Sequence, residues 1–246
     1  MVKIERDTMS MTPRARLLSL AAVLVLALAG AAEASSARVV EIPATAPGDA
    51  LAVIYSGDGG WGPLDRGVAK ALARNGTPVL GVDSLRYFLT KRSPRSAAED
   101  LATQLRRHQA LWGRQRLVLI GYSFGADALP AIVPQLPPDL RAQIKSVVLI
   151  GTGPNGDLAF HPASWLNRPS ADSYAVAPAV EALKGLPMTC IYGDKERGDI
   201  CASLPATTIR QVKLSGGHHF DGDYAALGQA VVRAAALWVA RHRAVA

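Results

Sequence analysis

Ser123 lies in Gly121-Tyr122-Ser123-Phe124-Gly125, a G-x-S-x-G pattern, and its surroundings are the ones that pattern requires. An apolar run, LVLI at 117–120, leads into it, and a small-residue segment compatible with a helix follows at 124–133. A serine at such a strand-to-helix junction sits on a sharp, strained turn with its hydroxyl exposed above the sheet. The flanking glycines leave room where side chains would collide. The helix starting there favours developing negative charge through its free N–H groups and dipole. The chemistry this implies is nucleophilic attack on a carbonyl, which needs a base, an orienting acid and an oxyanion hole. The competing reading is a glycine-rich turn with a solvated serine.

Nucleophile elbows of this kind are followed in the chain by the acid and then the histidine. The histidine belongs on the loop after the last strand, where Ser215-Gly216-Gly217-His218-His219-Phe220-Asp221 stands. His218 is the preferred base, in a Gly-His-x-Phe arrangement, and His219 is the alternative. A base needs a pKa near working pH and a partner that fixes its tautomer. His108, His161 and His242 fall in a helix, a loop and the C-terminus and read as surface residues. The acid belongs on Gly193-Asp194-Lys195-Glu196-Arg197-Gly198-Asp199, and three carboxylates compete there. Glu196, three residues past the glycine, ranks first. Asp199 is the alternative acid, expected to point back to solvent, and Asp194 is third, still at the strand end. The oxyanion donors expected are the N–H of Phe124 and one from Gly57 or Asp58.

Positioning such a set takes alternating strands and helices, and the chain alternates throughout. The pattern predicts an edge strand at 38–42, a buried strand at 51–55 (LAVIY) and a glycine-rich loop at 56–61. A helix at 64–74 follows, stopped by Asn75-Gly76, then a strand at 77–82. Residues 94–112 read as a long amphipathic helix with Ala98, Leu101, Leu105 and Leu111 on its buried face. Further strands are expected at 116–120, 145–150, 188–192 and 209–214, and helices at 124–133 and 224–241. Residues 151–186 read as irregular, with a short helix near 180–183. Continuous apolar strands separated by helices mean a mostly parallel central sheet with helices on both faces. This is the α/β-hydrolase pattern, with a reduced lid region and one domain over 35–246.

The first 34 residues read as a signal peptide. Arg14 and Arg16 precede an apolar run at 17–28, and Ala32-x-Ala34 fits cleavage before Ser35. The run is short and alanine-rich for a membrane span; the competing reading is an uncleaved anchor. Met9 and Met11 are alternative starts, since the first eight residues carry acids. The expected location is therefore the periplasm. Cleavage removes four basic and three acidic residues from the 27 and 20 of the whole chain, leaving 23 against 17, net +6. That suits an anionic membrane surface or substrate. The basic residues are scattered without interleaved aromatics, so nucleic acid is not an expected partner. Cys190 and Cys201 are the two cysteines, and in an oxidising compartment a disulfide between them is the default. Neither has metal-ligand spacing to a histidine, and no metal or cofactor is expected. A monomer is expected.

Four stretches together resemble the VirJ/AcvB family of bacterial virulence proteins: Ser56-Gly57-Asp58-Gly59-Gly60-Trp61, Gly81-Val82-Asp83-Ser84-Leu85-Arg86-Tyr87-Phe88, GYSFGAD at 121–127 and GHHFDGD at 217–223. The resemblance is to the short VirJ-type form and implies a periplasmic α/β-hydrolase with Ser123 and the 218–219 pair at its site. AcvB-type members hydrolyse aminoacyl-phosphatidylglycerol, lysyl-phosphatidylglycerol in particular, which implies an esterase acting on a membrane phospholipid ester. On that reading Arg86 pairs with the lipid phosphate, and Asp127 or Asp58 receives the aminoacyl ammonium. Arg86 has an equal claim to a structural salt bridge. VirJ-type members are linked to type IV secretion, which implies the alternative of a non-catalytic adaptor that binds secretion components. An esterase for another substrate is the third reading. If the export reading is right, N-terminal sequencing of protein recovered from the periplasm gives Ser35 first; an intact 1–34 segment there would refute it.

Overall fold

The computed structural model describes residues 39–44, 46–160 and 170–243. The expected signal peptide at 1–34 and His161 lie outside the described residues, as does the side chain of His242. Seven strands form one sheet: β1 (Val39–Ile42), β2 (Ala50–Tyr55), β3 (Val79–Val82), β4 (Arg116–Tyr122), β5 (Ile144–Ile150), β8 (Met188–Gly193) and β9 (Arg210–Leu214). Their order is β1-β3-β2-β4-β5-β8-β9. Only β1 runs antiparallel to its neighbour β3; the others pair in parallel. A two-stranded ribbon, β6 (Asn155–Gly156) with β7 (Tyr174–Ala175), stands apart from this sheet.

Strands β2, β3, β4 and β5 are buried almost end to end because helices cover both faces of the sheet. Alternation decides which residue goes where. Ala50, Ala52 and Ile54 pack with Val118, Ile120, Val148 and Ile150 against α1 (Pro63–Arg74) and the closing helix α7 (Tyr224–Arg243). These two helices meet closely because Gly67 and Gly228 have no side chains. A Cβ on Gly67 would stand 2.8 Å from Tyr224 Cβ, and one on Gly228 2.7 Å from Ala71 Cβ. Leu51, Val53 and Tyr55 turn to the opposite face, also buried.

The glycine-rich loop after β2 and the segment after β3 are built as one unit. The Trp61 indole occupies the space where Gly81 would carry a Cβ. Ser56 Oγ accepts a hydrogen bond from the Ser84 N–H at 2.9 Å. Asp83 caps a short helix, α2 (Ser84–Phe88), by accepting from the Arg86 N–H at 3.1 Å. That helix, and another at α5 (Pro138–Arg141), are shorter than a hydrophobic period can reveal.

Helix α3 (Pro94–Trp112) carries two corrections. Leu111 is 59% exposed rather than buried. His108 is fully buried rather than at the surface. The buried stripe runs through Ala98, Leu101, Leu105 and His108 towards Trp112, so Leu111 falls one position off it. His108 lies 2.8 Å from the Gln104 carbonyl and 3.1 Å from Glu41 Oε1, with its ring 4.9 Å from that of Trp112. The irregular region also holds more order than expected, since α6 (Val176–Glu181) begins ahead of the expected position. Helix α4 (Phe124–Ile132) follows β4 directly.

Asp65, in the first turn of α1, is 2% exposed. Its Oδ2 accepts from the Gly62 N–H at 2.8 Å, while its Oδ1 is sealed without a partner among the described residues. Burial pushes its pKa up to about 6, against the pull of that hydrogen bond and of Arg66. Folded protein therefore keeps this proton over a range where the unfolded chain has lost it. Stability from this group is full below about pH 4 and falls as pH rises towards 6, by about 3 kcal/mol. Asp65→Asn, neutral throughout, should raise Tm by several degrees at about pH 7.5 and change it little at about pH 4. Thermal melts showing equal shifts at both pH values would contradict this.

Candidate active site

Ser123 has φ 52° and ψ −121°, a conformation few side-chain-bearing residues adopt, between the end of β4 and the start of α4. The flanking glycines explain how the chain tolerates it. A Cβ on Gly121 would strike the backbone of Gly125 and Ala126, and one on Gly125 would land on the carbonyl oxygens of Tyr55 and Ser56. The turn is thus pressed against the end of β2. The Ser123 N–H donates to the Ile150 carbonyl at 2.8 Å, tying the turn to β5 as well.

Three loops at the carboxyl ends of the strands converge on this serine. His218 Nε2 lies 2.9 Å from Ser123 Oγ, and His218 Nδ1 lies 2.5 Å from Glu196 Oε1. The Glu196 side chain is only 6% exposed, so its charge is poorly screened by water. That hydrogen bond is the main cause of a His218 pKa above the ordinary histidine value. Desolvation opposes it, and the charges of Glu196, Asp58 and Asp199 add to it. Gly151, at φ +62°, lies beneath the pair: a Cβ there would stand 2.8 Å from His218 Cε1 and 3.4 Å from Glu196 Oε1. The arrangement can draw a proton from a serine hydroxyl and hold the resulting imidazolium.

The other two acids of the loop each hold backbone instead. Asp194 Oδ1 accepts from the Gly216 N–H at 2.8 Å, joining the acid loop to the histidine loop. Asp199 Oδ1 accepts from the Cys201 N–H at 2.6 Å. The expectation that Asp199 points back to solvent is corrected: its Oδ2 is sealed from water, and burial pushes its pKa up to about 6. Its carboxyl is drawn in because the loop is closed by the Cys190–Cys201 disulfide, with Cα atoms 5.6 Å apart. His219 faces Tyr122, whose hydroxyl is 3.0 Å from its Nδ1. It makes no hydrogen bond with Ser123.

The Phe124 N–H opens α4, where no carbonyl lies one turn back to accept it. Gly57 closes against the turn from the other side, and a Cβ there would stand 3.3 Å from Ser123 Cβ. Phe124 and Gly57 thus flank the serine on two sides. The Phe124 ring packs on Phe88, with centroids 5.1 Å apart. Asp127, on the first turn of α4, accepts from the Gly153 N–H at 2.8 Å; burial pushes its carboxyl well above the usual range. Arg86 is 71% exposed and its Nε lies 3.5 Å from Asp83 Oδ2. Tyr122 and Gly151, which both touch His218, went unmarked in the sequence. The available signals were an aromatic residue inside the G-x-S-x-G pattern and a glycine directly after an apolar strand.

A family model described as bacterial virulence protein (VirJ) matches residues 49–237. A comparison with curated proteins gives no match. Among solved structures, the chain is similar to the esterase Est1E from Butyrivibrio proteoclasticus, with a TM-score of 0.61 and 12% identity over 82% of this chain and 94% of that one. An α/β serine hydrolase without lid from Xanthomonas campestris gives 0.54 and 17%, over 81% and 88%. The esterase domain of a Rhodothermus marinus protein gives 0.53 and 18%, over 77% and 88%. These likenesses show the α/β-hydrolase fold. Gly125→Ala should cost about 3 kcal/mol or more, and so about 10 °C in Tm, because the atoms it strikes are backbone. A melt within 2 °C of wild type, by the same scale, would show that the elbow has slack.

Proposed function

We propose a serine esterase for this chain, which belongs to the VirJ family of bacterial virulence proteins. One observation carries the reading: a single imidazole lies within hydrogen-bond distance of a strained serine hydroxyl at one nitrogen and a buried glutamate at the other. In the proposed reaction Ser123 Oγ attacks the ester carbonyl carbon while His218 Nε2 takes its proton. Glu196 holds the Nδ1–H and stabilises the imidazolium. The N–H groups of Phe124 and of Gly57 or Asp58 receive the oxyanion, each such donor being worth about 3–4 kcal/mol. His218 then protonates the leaving alcohol, and water, activated by the same ring, clears the acyl-enzyme.

The proposed substrate is an aminoacyl-phosphatidylglycerol such as lysyl-phosphatidylglycerol. The charge around the site supports an acyl group that carries an ammonium. Asp58 is near enough to raise the pKa of both Asp127 and His218, and Asp199 adds to the same field. Arg86, exposed and loosely paired, is the proposed contact for the lipid phosphate. The proposed place of action is the periplasm, supported by the signal-like residues 14–34 and by the disulfide.

Ser123 should react with a fluorophosphonate probe, and Ser123→Ala should abolish labelling. Hydrolysis of lysyl-phosphatidylglycerol vesicles should fall up to about 10⁴-fold in Ser123→Ala and in Glu196→Gln, and less than about tenfold in Asp194→Asn and Asp199→Asn. Because the base must be neutral, kcat/KM should rise with pH through a midpoint above about 6.5, and Glu196→Gln should move that midpoint down. Labelling without lipid hydrolysis would leave another ester as substrate. No labelling of folded protein would leave the adaptor reading.

A further inference from the structure

We infer that Tyr122 is a positioning residue for His218, acting through both its ring and its hydroxyl; this rests on the proposed esterase reading. Tyr122 ends β4 and directly precedes Ser123, and it is 6% exposed. Its ring lies nearly parallel to the His218 imidazole, with centroids 5.2 Å apart and planes 28° apart. The same ring fills the space beside Gly57, where a Cβ would stand 3.2 Å from its edge. One side chain therefore contacts the loop after β2, adjoins the serine along the chain and stacks on the base.

The hydroxyl adds a directional restraint. It lies 3.3 Å from the His218 carbonyl oxygen and 3.0 Å from His219 Nδ1. A phenol has one proton to give, and a carbonyl can only accept. Both contacts are hydrogen bonds when His219 Nδ1–H donates to the phenol oxygen and the phenol O–H donates to the His218 carbonyl. Burial, and then the charges of Asp65, Glu196, Tyr224 and Asp58, hold the Tyr122 pKa well above its ordinary value. The phenol thus stays a donor wherever the site works. Glu196 restrains the ring of His218 at Nδ1, and Tyr122 restrains its backbone and its plane. Together they leave Nε2 aimed at Ser123 Oγ. His219, the alternative base from sequence, becomes the second half of this clamp.

The clamp is tested with Tyr122→Phe, which keeps the ring, and Tyr122→Leu, which removes both contacts. Two readouts are used. The first is the low-field proton resonance of the His218–Glu196 hydrogen bond, identified by its loss in Glu196→Gln and requiring no turnover. The second is kcat and KM with a p-nitrophenyl ester. The resonance should shift in Tyr122→Phe and broaden beyond detection in Tyr122→Leu, with melts showing both variants folded. kcat should fall about tenfold and about 100-fold respectively, with KM within about twofold, since a small misplacement of a reacting group costs rate rather than binding. An unchanged resonance and unchanged kcat in folded Tyr122→Leu would overturn the inference. A resonance that responds to Tyr122 in a protein that hydrolyses no ester would keep the clamp and remove the esterase reading.

Discussion

A single imidazole holds hydrogen bonds to two groups that are far apart in the chain. Ser123 is 95 residues before His218, and Glu196 is 22 before it. Each partner follows a different strand of one mostly parallel sheet, so the distances are set by strand spacing and register rather than by local folding. A one-residue slip in any of these strands would turn the wrong face of its loop to the site. The buried, helix-covered core is what forbids such slips. The requirements of the site and of the core thus act on the same residues.

Charge near the site is unevenly matched. Burial holds Asp127 and Asp199 above the ordinary carboxylate range, and nearby acids add to it, Asp199, Asp58 and Glu196 for Asp127 and Glu196 for Asp199. Their hydrogen bonds come from backbone N–H groups at Gly153 and Cys201. Uncharged donors relieve only part of the cost of desolvating a carboxylate. Basic partners are found further out, as in Lys195 with Asp221 and Lys91 with Asp172, both on the exposed surface, where water weakens them. The buried charge near His218 is therefore mostly acidic, and these lysines are paired on the exposed surface.

Much of this was legible in the sequence, and the failures have physical causes. The elbow was readable because steric demand leaves glycine as the residue that fits at 121 and 125. Glu196 was reachable from register, since the strand ends at Gly193 and a tight turn returns the chain three residues later, with the Glu196 N–H donating to the Gly193 carbonyl. Adjacent histidines at 218 and 219 could not be separated in that way. In the structure His218 Nε2 reaches Ser123 Oγ, and the chain then turns through Phe220 and Asp221, both at positive φ. His108 was misread because a polar residue on a helix reads as exposed unless the buried stripe around it is already placed. Asp199 was misread because its inward turn depends on the backbone N–H of Cys201 and the closed loop around it.

The acid loop and the base loop are joined more tightly to each other than either is to the serine. Asp194 accepts from the Gly216 N–H, the Lys195 N–H donates to the Gly216 carbonyl, and Gly193 leaves no space between the two chains. Glu196 and His218 are therefore held to each other by hydrogen bonds between the loops after β8 and β9, while the Ser123 turn is held at β4 and β5. The Ser123 hydroxyl and the His218 ring thus meet from two separately assembled sides, and the Nε2 contact is the seam between them.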